Sequence, residues 1–248
     1  MDTLRSRRAN GKTFLQTPVV HLRNGGTGQR ATLVLTAHLG EARYFERLRN
    51  AISASPGQIF FESVRSRDSS EAHWHERYHH LLRRIREDIY RDIAGLGLFT
   101  FQGEALAPDP FWINADVDCC QLAARLRQQG VSTLKYDLAL DSLSRLVRRA
   151  RSGNAEAAKT IESLLKYGLL FISAGFVFEA LRWLPGTRKF QAAANDWRNE
   201  FAARTVLDQA KGDWVLIYGA AHGPGLLRLF RKAGYHETHR DWLTVFTT

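Results

Sequence analysis

Three apolar runs in this chain end in a side chain able to move a proton or hold a cation. LVLTA runs into His38, IFF into Glu62 and VLIYGAA into His222. Two imidazoles and a carboxylate suit either of two kinds of chemistry. They can hold a divalent cation such as Mn, Co or Zn, with His38, Glu62 and His222 as ligands, or they can polarise a water directly, with Glu62 as the base that takes its proton. In an α/β sheet such groups gather at the carboxyl ends of strands, where loops open a crevice above a rigid support. Arg198 carries a charge that does not titrate near neutrality, so it is the candidate to stabilise a developing oxyanion. A structural role for it, paired with a neighbour such as Asp196, is the alternative.

The elements that must position these residues are legible in outline. TPVVHLRN and RATLVLTAH flank the glycine-rich GGTGQ, as a β-hairpin would. EARYFERLRNAIS repeats apolar residues at helical spacing, with Ala42, Phe45, Leu48 and Ile52 on one face. Pro56-Gly57 stops that helix, and QIFFE follows as a short strand ending at Glu62. The charged stretch 65–94 predicts a solvated helix over the crevice, opened by Ser69 and Ser70. FTFQGEALAPDPFWINADVD reads as turns, and CCQLAARLRQQG, LALDSLSRLVRRARS and the stretch from Ala155 to Leu184 read as helices. A helix over 189–211 precedes the strand DWVLIYGAAH, the helix GPGLLRLFRKAG and a closing strand HRDWLTVFTT. Gly219 marks a sharp strand-to-helix turn that needs close backbone approach. No linker divides the chain, so 1–248 reads as one α/β domain with a mixed central sheet flanked by helices.

Gly219-Ala220-Ala221-His222, with Gly225 and the closing Ala233-Gly234-Tyr235, resembles the second GxxH motif of the TraB/Tiki/PrgY family. Thr36-Ala37-His38 ahead of EARYFERL resembles the first motif, with Leu35 where the family has glycine. Glu62 matches the family glutamate, and Arg198-Asn199 in DWRNEFAART resembles its Arg-Asn pair. Trp112 and Asp116 in FWINADVD resemble a further element between the motifs. The match runs from about His21 to Tyr235 and is weakest in the middle. It implies a mixed α/β fold related to the erythromycin-esterase and ChaN-like proteins. Separately, Leu-Thr-Ala-His followed by a helix near the start echoes Gly-Ala-Ala-His followed by a helix near the end, which fits either pseudo-duplicated halves or simply two strand-to-helix turns. The resemblance also implies a catalytic set of His38, Glu62, Arg198 and His222, with Asn199, Trp112, Asp116 and Gly219 at the substrate. Relatives include metal-dependent proteases, ester hydrolases and haem-handling proteins. The leading expectation is therefore a metal-dependent, peptidase-like hydrolase of a peptide or small acyl substrate. A non-catalytic ligand-, metal- or haem-binding protein is the alternative.

His75-Glu76-Arg77-Tyr78-His79 spells HExxH, the two-imidazole grip of zinc proteases. Against that reading stand the charged surroundings, Arg77 inside the motif and the want of a third ligand at a recognisable spacing. His73 and His80 extend the cluster. Gly11-Lys12-Thr13 lacks the upstream glycine of a P-loop, and no Ser or Cys sits on a nucleophile elbow.

Composition bounds the rest. The chain has 248 residues, 44% hydrophobic and 24% charged, enough to build a core without disulfides. Its two cysteines, Cys119 and Cys120, are adjacent and cannot staple distant segments, which predicts a reducing, cytoplasmic setting. No secretory leader is read at the start. The net charge is +10, with 28 arginines against 7 lysines, so nucleic acid or an anionic membrane surface is a further candidate partner. Tyr167 to Phe178 is an uncharged run of 12 residues, short of the ~20 that a spanning helix needs. It predicts a buried helix or a homodimer surface.

Overall fold

The computed structural model describes residues 3–64, 76–84, 89–97, 99–172, 189–190 and 192–247. The chain opens with an antiparallel hairpin, β1 (Arg5–Ala9) and β2 (Lys12–Asn24), followed by β3 (Arg30–Thr36). Asn10 and Gly11 turn the first hairpin with φ of 51° and 71°, the left-handed pair that a two-residue hairpin loop requires. The hairpin expected over 17–38 is β2–β3, and β1 lengthens it at the amino end.

A two-residue strand β4 (Leu39–Gly40) leads into helix α1 (Ala42–Ala54), which buries Tyr44, Phe45, Leu48 and Ile52. Gly57 then turns the chain at φ 116°, with Asp213 backbone so close that a Cβ would overlap it at 1.9 Å. β5 (Gln58–Phe61) follows. Next come α2 (Glu76–Arg83), α3 (Ile89–Ala94), β6 (Thr100–Phe101), α4 (Gln102–Ala105) and β7 (Ile113–Asn114). The stretch 99–118, read from sequence as turns, thus holds two short strands and a helical turn. A capping box at Asp118 and Gln121 starts α5 (Cys119–Gln128), and α6 (Leu134–Arg151) packs beside α7 (Ala155–Ile172).

A π-helical turn at Ala192–Asp196 precedes α8 (Trp197–Gln209), where the sequence predicts one continuous helix. β8 (Trp214–Gly219) passes through a 3-10 turn at Ala220–His222 into α9 (Gly223–Lys232). The final strand, β9 (Tyr235–Thr247), begins four residues earlier than its sequence suggests.

The main sheet is mixed. β3, β8, β5 and β7 lie side by side and parallel, and β8, last of the four in the chain, slots between β3 and β5. β2 runs antiparallel to β9 along Phe14 to Asn24, to β3 over Val19 to Arg23 and to β1 over Lys12 to Gln16. Since a strand has two edges, β1 and β3 share the edge opposite β9.

Each face has its own core. Val34, Phe61, Val215 and Ile217 face α1, α5 and α6. Leu33, Phe60, Trp214, Leu216 and Tyr218 face α8 and α9 through Ala202, Val206, Leu226 and Phe230. The alternation follows the period-2 pattern of strands buried on both sides. Among the described residues, no helix is long and apolar enough to cross a membrane. The apolar stretch 167–178 runs from α7 into residues outside the described set, so the dimer surface expected there is not described.

Candidate functional site at the strand carboxyl ends

The four parallel strands all end on the same side of the sheet. Across the sheet they bring up His38 after β3, Gly219 and His222 at β8, Glu62 after β5 and Asp116 after β7. Arg198, in the first turn of α8, reaches into the middle of this row and is only 8% exposed.

Arg198 is bonded at every donor. Nε donates to Asp116 Oδ1 at 2.9 Å, and Nη2 donates to Asp116 Oδ2 at 2.6 Å and to Glu62 Oε1 at 2.5 Å. Nη1 donates to His222 Nε2 at 3.3 Å and to Ala194 O, a carbonyl of the π-helical turn, at 3.4 Å. A guanidinium has five N–H groups, and all five are taken. The pairing with Asp196 does not occur; the partner is Asp116, 82 residues away in the chain.

His222 is equally committed. Arginine only donates, so the ring nitrogen facing it, Nε2, presents a lone pair. Nδ1 then carries the proton and donates it to Asn199 Oδ1 at 2.7 Å. Asn199, 3% exposed, is held over the start of α9 by close packing, because a Cβ on Gly225 would fall 2.2 Å from its Nδ2. Burial drives the His222 pKa down to about 3; nearby Glu62 opposes the shift, and Arg198 and His38 add to it. The ring is neutral at physiological pH.

The two carboxylates differ. Burial works to raise Glu62, but Arg198, His222, His38 and the Gly219 N–H outweigh it and hold its pKa at about 2. Asp116, whose side chain is fully buried, is raised by burial despite its two bonds to Arg198, and the Glu62 charge adds to the rise. Arg198 itself is raised well above its ordinary value, burial being overcome by Asp116 and Glu62.

His38 stands apart. It is partly exposed and sits in the two-residue link between β3 and β4. Its backbone is pinned from both sides: Ala37 N donates to Tyr44 Oη at 2.9 Å, and Gln102 N donates to His38 O at 2.8 Å. Its ring packs on Tyr90 of α3, centroids 5.0 Å apart. The site floor is Gly219, whose N–H donates to Glu62 Oε2 at 2.5 Å. The place its side chain would occupy lies 3.0 Å from Glu62 Oε2, 3.8 Å from His38 Nε2 and 3.7 Å from His222 Cδ2. Glycine here keeps a small space open between a carboxylate oxygen and an imidazole nitrogen.

The sequence-predicted residues therefore divide into groups. His38, Glu62, Arg198, His222, Asn199 and Gly219 come together, and Asp116 joins them as the buried partner of Arg198 rather than as a group facing a substrate. Trp112 does not join them. It is half-buried against the core, edge-to-face with Phe61 at 6.1 Å, and lies at the amino end of β7.

Leu35 points to the other face of the sheet. It stands opposite Tyr218, and a Cβ on Gly223 would meet its Cδ1 at 2.5 Å. The β3 residue level with Gly219 is Thr36, so the two His motifs are offset by one position.

Tyr90 is the group that sequence reasoning missed. It lies in the charged stretch read as a solvated helix, yet Ile89, Tyr90 and Ile93 are all buried. Burial and the Glu62 charge raise its pKa, so its phenol stays protonated. Of the HExxH cluster, His73 and His75 lie outside the described residues, and His80 is exposed on α2.

As a metal site the donor types fit better than their arrangement. Glu62 Oε1 and His222 Nε2 are 3.6 Å apart, but both face Arg198. Among the described residues, no group of three or more His, Cys, Asp or Glu is placed to hold a metal ion. Comparison with protein-family models, with curated proteins and with solved structures finds no match to this chain.

Proposed function

We propose that the chain is a hydrolase acting on a peptide or other acyl substrate at the strand-end crevice, of the TraB/Tiki/PrgY type and built on an erythromycin-esterase/ChaN-like arrangement of strands. One observation carries the reading: His38 Nε2 and Glu62 Oε2 converge on the space that Gly219 leaves open. Glu62 Oε2 has a lone pair beyond the one the Gly219 N–H engages. A water held between that oxygen and His38 has an acceptor on each side. His38, the more exposed of the two imidazoles, takes its proton as the water attacks the acyl carbon and returns it to the leaving group. Glu62, ionised at all working pH, orients the water and stabilises the imidazolium that forms.

Arg198 and His222 act differently from the sequence-based expectation. With all five donors of Arg198 engaged, support of an oxyanion by its guanidinium would cost an existing bond. Its role in this reading is to hold Glu62 and His222 in place, with Asp116 fixing the guanidinium from below.

Two buried carboxylates share one guanidinium, so the site favours one more positive charge. The His38 imidazolium supplies it in the metal-free form of the reaction. A divalent cation would supply it, and acidify a bound water, in a metal-assisted form. The ligands there would be His38 and Glu62, with His222 added only if Arg198 releases its Nε2.

A screen of peptides and activated esters, run on protein stripped with chelator and again with Mn, Co or Zn, tests the reading. Turnover that His38→Ala abolishes is the expected result, and its dependence on added metal selects between the two forms. No turnover on any substrate in either condition, with metals raising only thermal stability, would favour a non-catalytic binding protein. The full engagement of Arg198 and His222 within the protein is what lends that second reading weight.

A further inference from the structure

The antiparallel end of the sheet carries a second chemical surface, unrelated to the strand-end crevice. Directly opposed residues of antiparallel strands share a face, and here Arg5 opposes Gln16, Arg7 opposes Phe14, Thr244 opposes Gln16 and Trp242 opposes Pro18. One face of the β1–β2–β9 ribbon therefore presents Arg5, Arg7, Phe14 and Trp242 together, with Lys12 at its tip. Gln16 ties the strip across three strands, accepting from Arg5 Nε at 2.8 Å and donating to Thr244 Oγ1 at 3.2 Å. The Arg5 guanidinium lies over the Trp242 indole, 4.0 Å from the ring centroid, and Arg240 stands 5.6 Å from the same ring.

The charge on this strip is only partly balanced. Arg240 is neutralised by Glu237, with bonds of 2.8 and 2.7 Å. The side chain bonded to Arg5 is the neutral Gln16, and Arg7 is exposed. Burial first, then the charges of Arg7 and Arg240, lower the Arg5 pKa, as befits a cation short of anions. Gln16 engages Nε alone, which leaves the two Nη groups for a ligand on a guanidinium already seated on the indole. Such a fork matches phosphate geometry.

We propose that this face binds single-stranded nucleic acid, with phosphates taken by Arg5 and Arg7 and bases laid on the Arg5–Trp242 stack and on Phe14. Bases stack on aromatic rings and on guanidinium planes alike, and a flat strand surface lets successive bases spread. An anionic bilayer offers phosphates too, but it is held by apolar side chains that enter the acyl region. Here Trp242 lies beneath Arg5, and Phe14 is only half-exposed.

Fluorescence anisotropy of labelled oligo(U) and oligo(dT) with the full chain, across a salt series, tests this. Affinity is expected to fall log-linearly with salt. Arg5→Ala/Arg7→Ala should flatten the slope by about 1.4, roughly 0.7 for each lost phosphate contact, and weaken binding about tenfold. Arg7→Ala alone, at an exposed position where folding is not at stake, should flatten it by about 0.7. Arg148→Ala/Arg149→Ala removes the same charge from exposed positions on α6 and should change neither quantity. Failure of the wild-type chain to bind either oligonucleotide would overturn the proposal. So would equal losses in the two double variants, which would reduce the effect to net charge. Binding confined to phosphatidylserine vesicles would also overturn it and make the strip a membrane contact.

Discussion

The two histidines that close neighbouring parallel strands look equivalent in sequence and are opposites in structure. His222 is 4% exposed, ends a 3-10 turn and has both ring nitrogens bonded, one to Asn199 and one to Arg198. His38 follows its strand without a helix start, is partly exposed and directs Nε2 over Gly219 beside Glu62 Oε2. A histidine with both nitrogens occupied and no access to water is a poor proton shuttle, however suggestive its motif. In the proposed reading one strand end is the frame of the site and the other its working edge. The comparison predicts that loss of the first costs stability and that loss of the second costs reaction.

The largest effect is expected at the residue that builds the frame. Arg198→Ala leaves Glu62 and Asp116 buried without their shared cation, and breaking such a buried pair costs about 3–5 kcal/mol. Urea denaturation should show this as a fall in midpoint at unchanged slope. A change below about 1 kcal/mol would mean that water already screens the site.

His222 comes next, and pH separates its contribution from that of His38. Its pKa is near 3 in the folded chain against an ordinary 6.5, so between those values the unfolded chain binds a proton that the folded chain refuses. Stability must then decline as pH falls from about 6.5 toward 3. Glu62, held at about 2 against an ordinary 4.5, adds a second loss as pH drops from about 4.5 toward 2. The raised Asp116 acts in the opposite sense, favouring the folded state in acid and losing that contribution as pH rises through its folded value. His222→Ala should cost about 1–3 kcal/mol at neutral pH by leaving Asn199 and Arg198 with unmet bonds. Its stability should also be flatter than the wild type's between about pH 6.5 and 3. An unaltered profile in chemical denaturation would show that His222 is not the buried neutral ring described.

Gly225→Ala sharpens the comparison with less damage. The new methyl overlaps the end of a side chain, not backbone, so Asn199 swings aside at a cost of about 1–2 kcal/mol, the one buried bond it withdraws from His222. His222 then loses the acceptor that fixes its tautomer. Turnover should fall more than the melting temperature does, and equal losses in both would make Asn199 a packing residue only.

Much of the frame was legible from sequence because long apolar strands announce themselves. β3, β5 and β8 each run into an ionisable residue, and that pattern alone points to His38, Glu62 and His222. Short elements carried too few residues to show a period. β7 has two residues, so Asp116 was read as a substrate contact when it is the buried counter-ion of Arg198. α3 has six residues, and its buried Ile89, Tyr90 and Ile93 were masked by the charges around them. The Asn10-Gly11 pair does carry a hairpin signal, in a segment whose flanking strands are too polar to announce themselves. What spacing could not express at all was saturation: only the hydrogen-bond partners show that every N–H of Arg198 and both ring nitrogens of His222 are engaged within the protein.

His38→Ala tests that distinction most directly, measured by turnover on the best substrate of the screen and by thermal melting of the same sample. The account predicts a loss of about 10²–10⁴ in turnover with a melting temperature within about 2 °C of the wild type. A His38→Ala chain that keeps its turnover, or that loses turnover only because it no longer folds, would contradict it.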